Sequence, residues 1–232
     1  MKDFYALKFK DTQEYYEWVR DDVIGFLQNS LPTQTTLNNV LEIGCASGKT
    51  GNKLKRIFNI KNYVGVEFNE EAARLAEKNI DKVVCGNFEK MIEEHKTDDL
   101  KGKYDMVLFL DVLEHLYDPW RALDTIKDWL TPKGFLVCSI PNAGNIYVIK
   151  KLFTDKFEYE SRGLLDITHI RFFTLHTIIK LLTDCGFTMT HHTTVDDTVH
   201  LRPKLYNMLT LGKFKKQFVI QYIVLAKQNN AL

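Results

Sequence analysis

The order of apolar and polar positions divides the chain into segments of different period. Over residues 12–28, Tyr15, Trp18 or Val19, Val23, Phe26 and Leu27 recur on one helical face. Asp11 and Glu14 stand at capping-box spacing and Pro32 follows, so the pattern predicts a first helix. Short apolar runs then alternate with amphipathic stretches: a strand over 40–43, a helix over 49–58, a strand over 63–67, a helix over 70–79 and a strand over 82–85. The charged loop 96–103 leads into 104–110, an unbroken apolar run of the kind a central strand shows. Asp118-Pro119 opens a helix that runs to residue 130, and Thr131-Pro132-Lys133-Gly134 turns into a strand over 135–140. Repeated strand–helix units need crossover connections, hence a parallel sheet with helices on both faces.

From Pro141 to Phe173 the periodicity lapses, over a stretch too long for a plain connection, which reads as an insertion or lid. A helix over 174–185 closes at Gly186, and strands over 187–193 and 217–227 bring the strand count to seven. No internal repeat or linker divides the chain. One domain over 1–232 is expected, with a helical cap at 12–30, an insertion at 141–173 and a basic segment at 199–216. No apolar run reaches the roughly 18 residues a membrane span needs, and the first residues are polar, so a cytoplasmic protein is expected.

Composition narrows the function classes. Thirty-one Lys and Arg face 30 Asp and Glu, a net charge of +1, which argues against a wholesale nucleic-acid binder. Fifteen Phe, ten Tyr and three Trp argue against disorder. Cys45, Cys85, Cys138 and Cys185 form no CxxC pair and no Cys/His cluster at zinc spacing, so free thiols are expected and no metal constellation is visible.

The first strand runs into Glu42-Ile43-Gly44-Cys45-Ala46-Ser47-Gly48-Lys49-Thr50. Small residues between strand and helix let a ligand approach the backbone, where the helix N-terminus offers unpaired N–H groups. A phosphate-binding P-loop needs four residues between its glycines, and Gly44 and Gly48 enclose three. A dinucleotide fingerprint starting at Gly44 meets Lys49 where its third glycine belongs, and one starting at Ala46 lacks the first, so an NAD(P)-binding protein is the weaker alternative.

Glu42-x-Gly44-x-Ala46-x-Gly48 resembles the E/D-x-G-x-G-x-G turn of class I S-adenosylmethionine (SAM) methyltransferases, with Ala46 in place of the middle glycine. The resemblance implies a Rossmann-like, doubly wound, mostly parallel seven-stranded sheet whose last strand is antiparallel. It also assigns residues. Glu42 is oriented toward the cationic amino-acid end of SAM, Glu67 accepts the ribose hydroxyls and Phe68 packs on the adenine. Gly86-Asn87-Phe88-Glu89 resembles the family's G-D-x-E, with the Asn87 amide oxygen as acceptor for the adenine amino group. Gly44, Cys45, Ala46, Ser47 and Gly48 line the cofactor, as do Phe88 and the residues after the fourth strand, Asp111 and Val112. The string Asp111-Val112-Leu113-Glu114-His115-x-x-Asp118-Pro119 resembles the matching motif of small-molecule methyltransferases of the ubiquinone-biosynthesis type.

Within the insertion, residues 159–174 resemble the Y-x-x-x-G-L-L-D-x-T-H-x-R-F-F-T signature of a bacterial subgroup often associated with cell-surface saccharide biosynthesis. The implied activity is methyl transfer from SAM to a small molecule, with a saccharide hydroxyl as the expected acceptor; a module that retains SAM without catalysis is the alternative. A hydroxyl acceptor must lose its proton, and His115 or His169 is the candidate base, with Arg171 and Asp166 shaping the site. A structural network of Asp166, Thr168, His169 and Arg171 that anchors the lid is the other reading. Tyr15, Tyr16 and Trp18 on the first helix could close over the cofactor or belong to the core.

Charge is unevenly spread. After Asp197 there is no acid, and Arg202, Lys204, Lys213, Lys215, Lys216 and Lys227 contribute +6, which leaves 25 bases and 30 acids, a net −5, in the first 197 residues. An anionic acceptor or a peripheral membrane contact would use that segment, although a plain solvated flank is the preferred reading; a homodimer is a further expectation.

Overall fold

A computed structural model describes residues 17–98, 100, 103–196 and 214–229. The expected alternation is present: β1 (Asn39–Ile43), α2 (Lys49–Phe58), β2 (Asn62–Glu67), α3 (Glu70–Ala76), β3 (Lys82–Cys85), α4 (Phe88–Glu93), β4 (Tyr104–Leu110), α5 (Pro119–Lys127) and β5 (Leu130–Pro141), preceded by α1 (Asp21–Ser30). After β5 come α6 (Ile146–Phe153), α7 (Leu175–Asp184), β6 (Phe187–Asp196) and β7 (Val219–Gln228). The seven strands form one sheet in the order β3-β2-β1-β4-β5-β7-β6. β1 to β5 pair in parallel, and β7 lies antiparallel between β5 and β6. This is the doubly wound sheet the alternation requires.

Apolar side chains leave both faces of the central strands. Leu41, Ile43, Val107 and Phe109 enter one core cluster with α5 and α7, whereas Val40, Met106 and Leu108 enter the other, with α1 and α2. The order reverses between β1 and β4, and an open α/β sheet opens a crevice there at the carboxyl ends of its strands.

Three sequence expectations change. Among the described residues the helix expected over 12–28 is helical only from Asp21, because Glu17 to Arg20 are non-helical, the Arg20 backbone standing at φ −79° and ψ 70°. Asp21 and Asp22 then occupy the first turn, where the helix dipole favours acids. Trp18 is 71% exposed and packs in no core, while Asp11, Glu14, Tyr15 and Tyr16 lie outside the described residues. The insertion contains α6, which the pattern did not reveal because most of its apolar side chains face solvent. α4 was also missed; Asn87 caps it, its Oδ1 accepting the Lys90 N–H at 3.0 Å. Of the basic segment at 199–216, only residues 214–216 are described.

Candidate functional site

The turn after β1 is left-handed at alternate positions, with φ 76° at Gly44, 49° at Ala46 and 73° at Gly48. A side chain at Gly44 would place its Cβ 2.5 Å from Val112 Cγ2, so the turn and the segment after β4 close on one another. Cys45 points inward and is buried, and Ser47 Oγ is buried without a hydrogen-bond partner among the described residues. From the end of β2 the Glu67 carboxylate reaches back to this turn: Oε2 accepts the Ala46 N–H and Oε1 the Asn69 N–H, both at 2.8 Å. Two backbone donors orient a buried acid whose second lone pairs stay available to ligand hydroxyls. Burial raises its pKa, and the backbone N–H groups of Asn69, Ala46 and Phe68 oppose the rise. Phe68 is half-buried beside it.

Glu42 is buried under the same turn and accepts the Tyr63 hydroxyl at 2.8 Å. Burial pushes its pKa up to about 7, the Tyr63 hydrogen bond opposes this, and the nearby Glu67 charge adds to it. Across the crevice Asp111 adopts φ 57°, strained for a residue with a Cβ and held by its N–H to Ser139 O and Oγ, each at 3.1 Å. Its carboxylate takes hydrogen bonds from Arg20 and Gln221. Arg20 also donates to Ser139 Oγ and Gln221 Oε1, both at 3.0 Å. Burial raises the pKa of Asp111 against the pull of Arg20.

The second cluster joins the short 3₁₀ turn Leu113–His115 to the insertion. Glu114 O accepts the N–H groups of Ile170 and Arg171, both at 3.0 Å. His115 Nδ1 lies 3.0 Å from Thr168 O, and the His115 and His169 rings meet edge to face at 4.8 Å between centroids. Glu114 is 1% exposed, neither carboxylate oxygen has a hydrogen-bond partner among the described residues, and Oε1 stands 4.0 Å from His169 Nε2. Burial and the charge of Asp111 raise its pKa well above the usual carboxylate range. One ligand atom each of Glu114, His115 and His169 lies within 4.8 Å of the others, a spacing that a cation could bridge. No sequence spacing announced this grouping.

The structure thus brings Glu42, the Gly44–Gly48 turn, Glu67, Asp111 and Val112 to one crevice, and His115 and His169 to the adjoining insertion. Two expected site residues fall elsewhere. The Phe88 side chain packs in the core against Phe109 and Trp129, at 6.1 and 6.2 Å, because α4 starts there and turns its first residue inward; only its backbone is left for a ligand. The Arg171 guanidinium donates to Tyr117 O and lies 5.8 Å from the Trp120 ring centroid, so it tethers the insertion to the start of α5. Asn87 uses its oxygen as a helix cap, which leaves one lone pair for an adenine amino group. Asp166 is absorbed locally, its Oδ1 accepting Thr168 N–H at 2.9 Å and Oγ1 at 2.6 Å. His95, His176, His191 and His192 are exposed; His200 lies outside the described residues. Sequence reasoning missed Arg20, Glu114 and Gln221. Arg20 and Gln221 lie far from the motifs in the chain; Glu114 stood inside a quoted motif, without a signal that it would be buried unpaired.

The residues present fit the cofactor that the turn implies. Two acids, Glu42 and Asp111, lie where a ligand would bring its cationic end, Glu67 stands beside them for hydroxyl groups, and Ser47 Oγ has no hydrogen-bond partner among the described residues.

Comparison with known proteins agrees. A family model described as a methyltransferase domain matches residues 15–192. A ubiquinone biosynthesis O-methyltransferase of Shewanella pealeana is 28% identical over 104 residues, 44% of this chain and 43% of that protein. A malonyl-[acyl-carrier protein] O-methyltransferase of Halalkalibacterium halodurans is 24% identical over 134 residues, 55% of this chain and 47% of that one. The matched stretch therefore spans less than half the length of these curated relatives. A solved SAM-dependent methyltransferase of Archaeoglobus fulgidus shares the fold, with a TM-score of 0.65 at 19% identity over 95% of this chain and 99% of that chain.

Proposed function

The chain belongs to the methyltransferase-domain family, within the class I SAM-dependent methyltransferases, and from that premise we propose that it transfers the methyl group of SAM to an oxygen of a small-molecule acceptor. One observation carries the reading: Glu67, at the end of β2, is held by two backbone N–H groups beside a left-handed turn, with lone pairs left for a ribose diol. In this reading Phe68 covers the adenine and the remaining lone pair of Asn87 receives its amino group. Glu42 and Asp111 face the cationic end, and Arg20, already drawn to Asp111, meets the carboxylate of the same end.

SAM supplies a methyl group on a sulfonium, so the protein's task is alignment and, for a hydroxyl acceptor, removal of one proton. The carbonyl of Thr168 faces His115 Nδ1 and that of Leu164 faces His169 Nδ1, at 3.0 and 3.3 Å. With Nδ1 carrying the hydrogen, each Nε2 presents a lone pair, and one of them takes the acceptor's proton and releases it to solvent. An oxygen acceptor agrees with the names of the relatives. A saccharide hydroxyl is the finer reading, and it rests on the resemblance of residues 159–174 alone.

Calorimetry with SAM and its product tests the first half, and absence of saturable binding would end it. Transfer of labelled methyl to a panel of phenols, carboxylates and nucleotide sugars tests the second. Saturable binding with no transfer to any acceptor would favour a module that keeps SAM without catalysis.

A further inference from the structure

We propose that α6 is an interfacial helix that docks the protein on an anionic lipid surface. The inference stands apart from the methyl-transfer reading. In α6 Val148 is the buried side chain, and Ile146, Ile149 and Phe153, spaced three and four apart, share a face directed at solvent with Leu152 on its flank. Exposure reaches 91% at Phe153, 60% at Leu152, 46% at Ile146 and 39% at Ile149. A helix that packs through one residue and offers four large apolar ones to water is turned outward, and a contiguous apolar patch of this kind marks an interaction site.

Charge selects the occupant. Lys150 lies on the exposed face and Lys156 follows the helix. Exposed Lys215 and Lys216, on the 3₁₀ turn Lys215–Phe218, are brought to the base of the insertion, where Asn142 Nδ2 donates to Lys216 O at 3.1 Å and Asn145 Nδ2 to Val219 O at 2.9 Å. These four lysines outweigh Asp155 and Glu158, the exposed acids of the same stretch; Lys151 and Glu160 satisfy one another at 3.0 Å. An apolar stripe edged by lysines matches acyl chains under anionic headgroups. A second copy of this chain fits less well, since a two-fold pairing of α6 would set Lys150 near its own image.

The docking face is joined to the proposed acceptor side. Tyr147 donates to Glu160, whose backbone pairs with Leu165 and Ile167 at 2.8 and 2.9 Å, and the same loop then places Thr168 O against His115. A surface bound to α6 therefore adjoins the loop that carries His169.

The test is co-sedimentation of the full chain with vesicles of phosphatidylcholine alone and of phosphatidylcholine with phosphatidylglycerol. Binding to the anionic vesicles, reduced by salt and weakened about tenfold or more in Leu152→Glu/Phe153→Glu, is the expected result. The milder Phe153→Ser should show a smaller loss in the same direction. SAM calorimetry on each variant reports on the fold and on the cofactor reading separately. No binding to anionic vesicles, or undiminished binding by the double variant, would overturn the proposal. So would a wild-type dimer in light scattering that the double variant converts to monomer, which would assign the face to a second copy.

Discussion

At Glu67 a carboxylate with two backbone donors is set for a diol, and removing it strands both ligand hydroxyls against a buried wall. Glu67→Ala should weaken SAM binding about tenfold or more by calorimetry, and Glu67→Gln, which keeps one acceptor oxygen, should lose less. For proton removal, the histidine that acts as base should show a fall of about 10²- to 10⁴-fold in kcat on replacement by alanine, with loss of the rise in rate near neutral pH. If His115→Ala and His169→Ala both keep full turnover with a hydroxyl acceptor, the assignment fails. Glu67 and His115 are candidates in the sequence because each follows a strand that the apolar pattern marks, and His169 because residues 159–174 resemble a known signature. Arg20 could not: its partner Asp111 is 91 positions away, and only the packed sheet makes them neighbours.

Among the elements, β2 and the turn after β1 meet at Gly65. A Cβ there would lie 2.5 Å from Cys45 Sγ and 2.6 Å from Ile80 Cδ1, both buried, so neither neighbour has room to yield. Gly65→Ala should lower stability by about 1–3 kcal/mol in urea unfolding, and with it loosen the cofactor turn. The bounds of α2, β3 and β4 match the sequence expectation residue for residue, because their apolar periods are terminated by polar or glycine-rich turns. The extent of α1 and the presence of α6 were misread for opposite reasons. Before α1 a helical period continues across residues 17–20, which the structure holds out of the helix through contacts such as Arg20 N–H to Thr50 Oγ1, whereas α6 turns its apolar side outward, where core periodicity has no meaning.

Taken as a whole, the molecule concentrates buried acids at the strand ends. Glu42, Glu67, Asp111 and Glu114 all have raised pKa values, chiefly through burial. A folded carboxyl whose pKa exceeds its unfolded value holds a proton that the unfolded chain has already released. The native state therefore binds more protons from the ordinary carboxylate range up to about 7, the value for Glu42, and stability falls as pH rises through that window. The melting temperature of the cofactor-free protein should drop between about pH 5 and pH 8, less steeply with SAM bound and less steeply in Glu42→Gln. A flat profile without cofactor would count against these burials. The sequence by itself determined the strand–helix alternation, the glycine turn and the acid at the end of the second strand, because periodicity and local backbone chemistry are encoded over a few residues. Only the tertiary structure decided that Arg20 reaches Asp111, that Glu114 is sealed beside two histidines, that Phe88 belongs to the core and that α6 faces outward. Those outcomes depend on which distant segments share a volume and exclude water from it, and no local pattern specifies that.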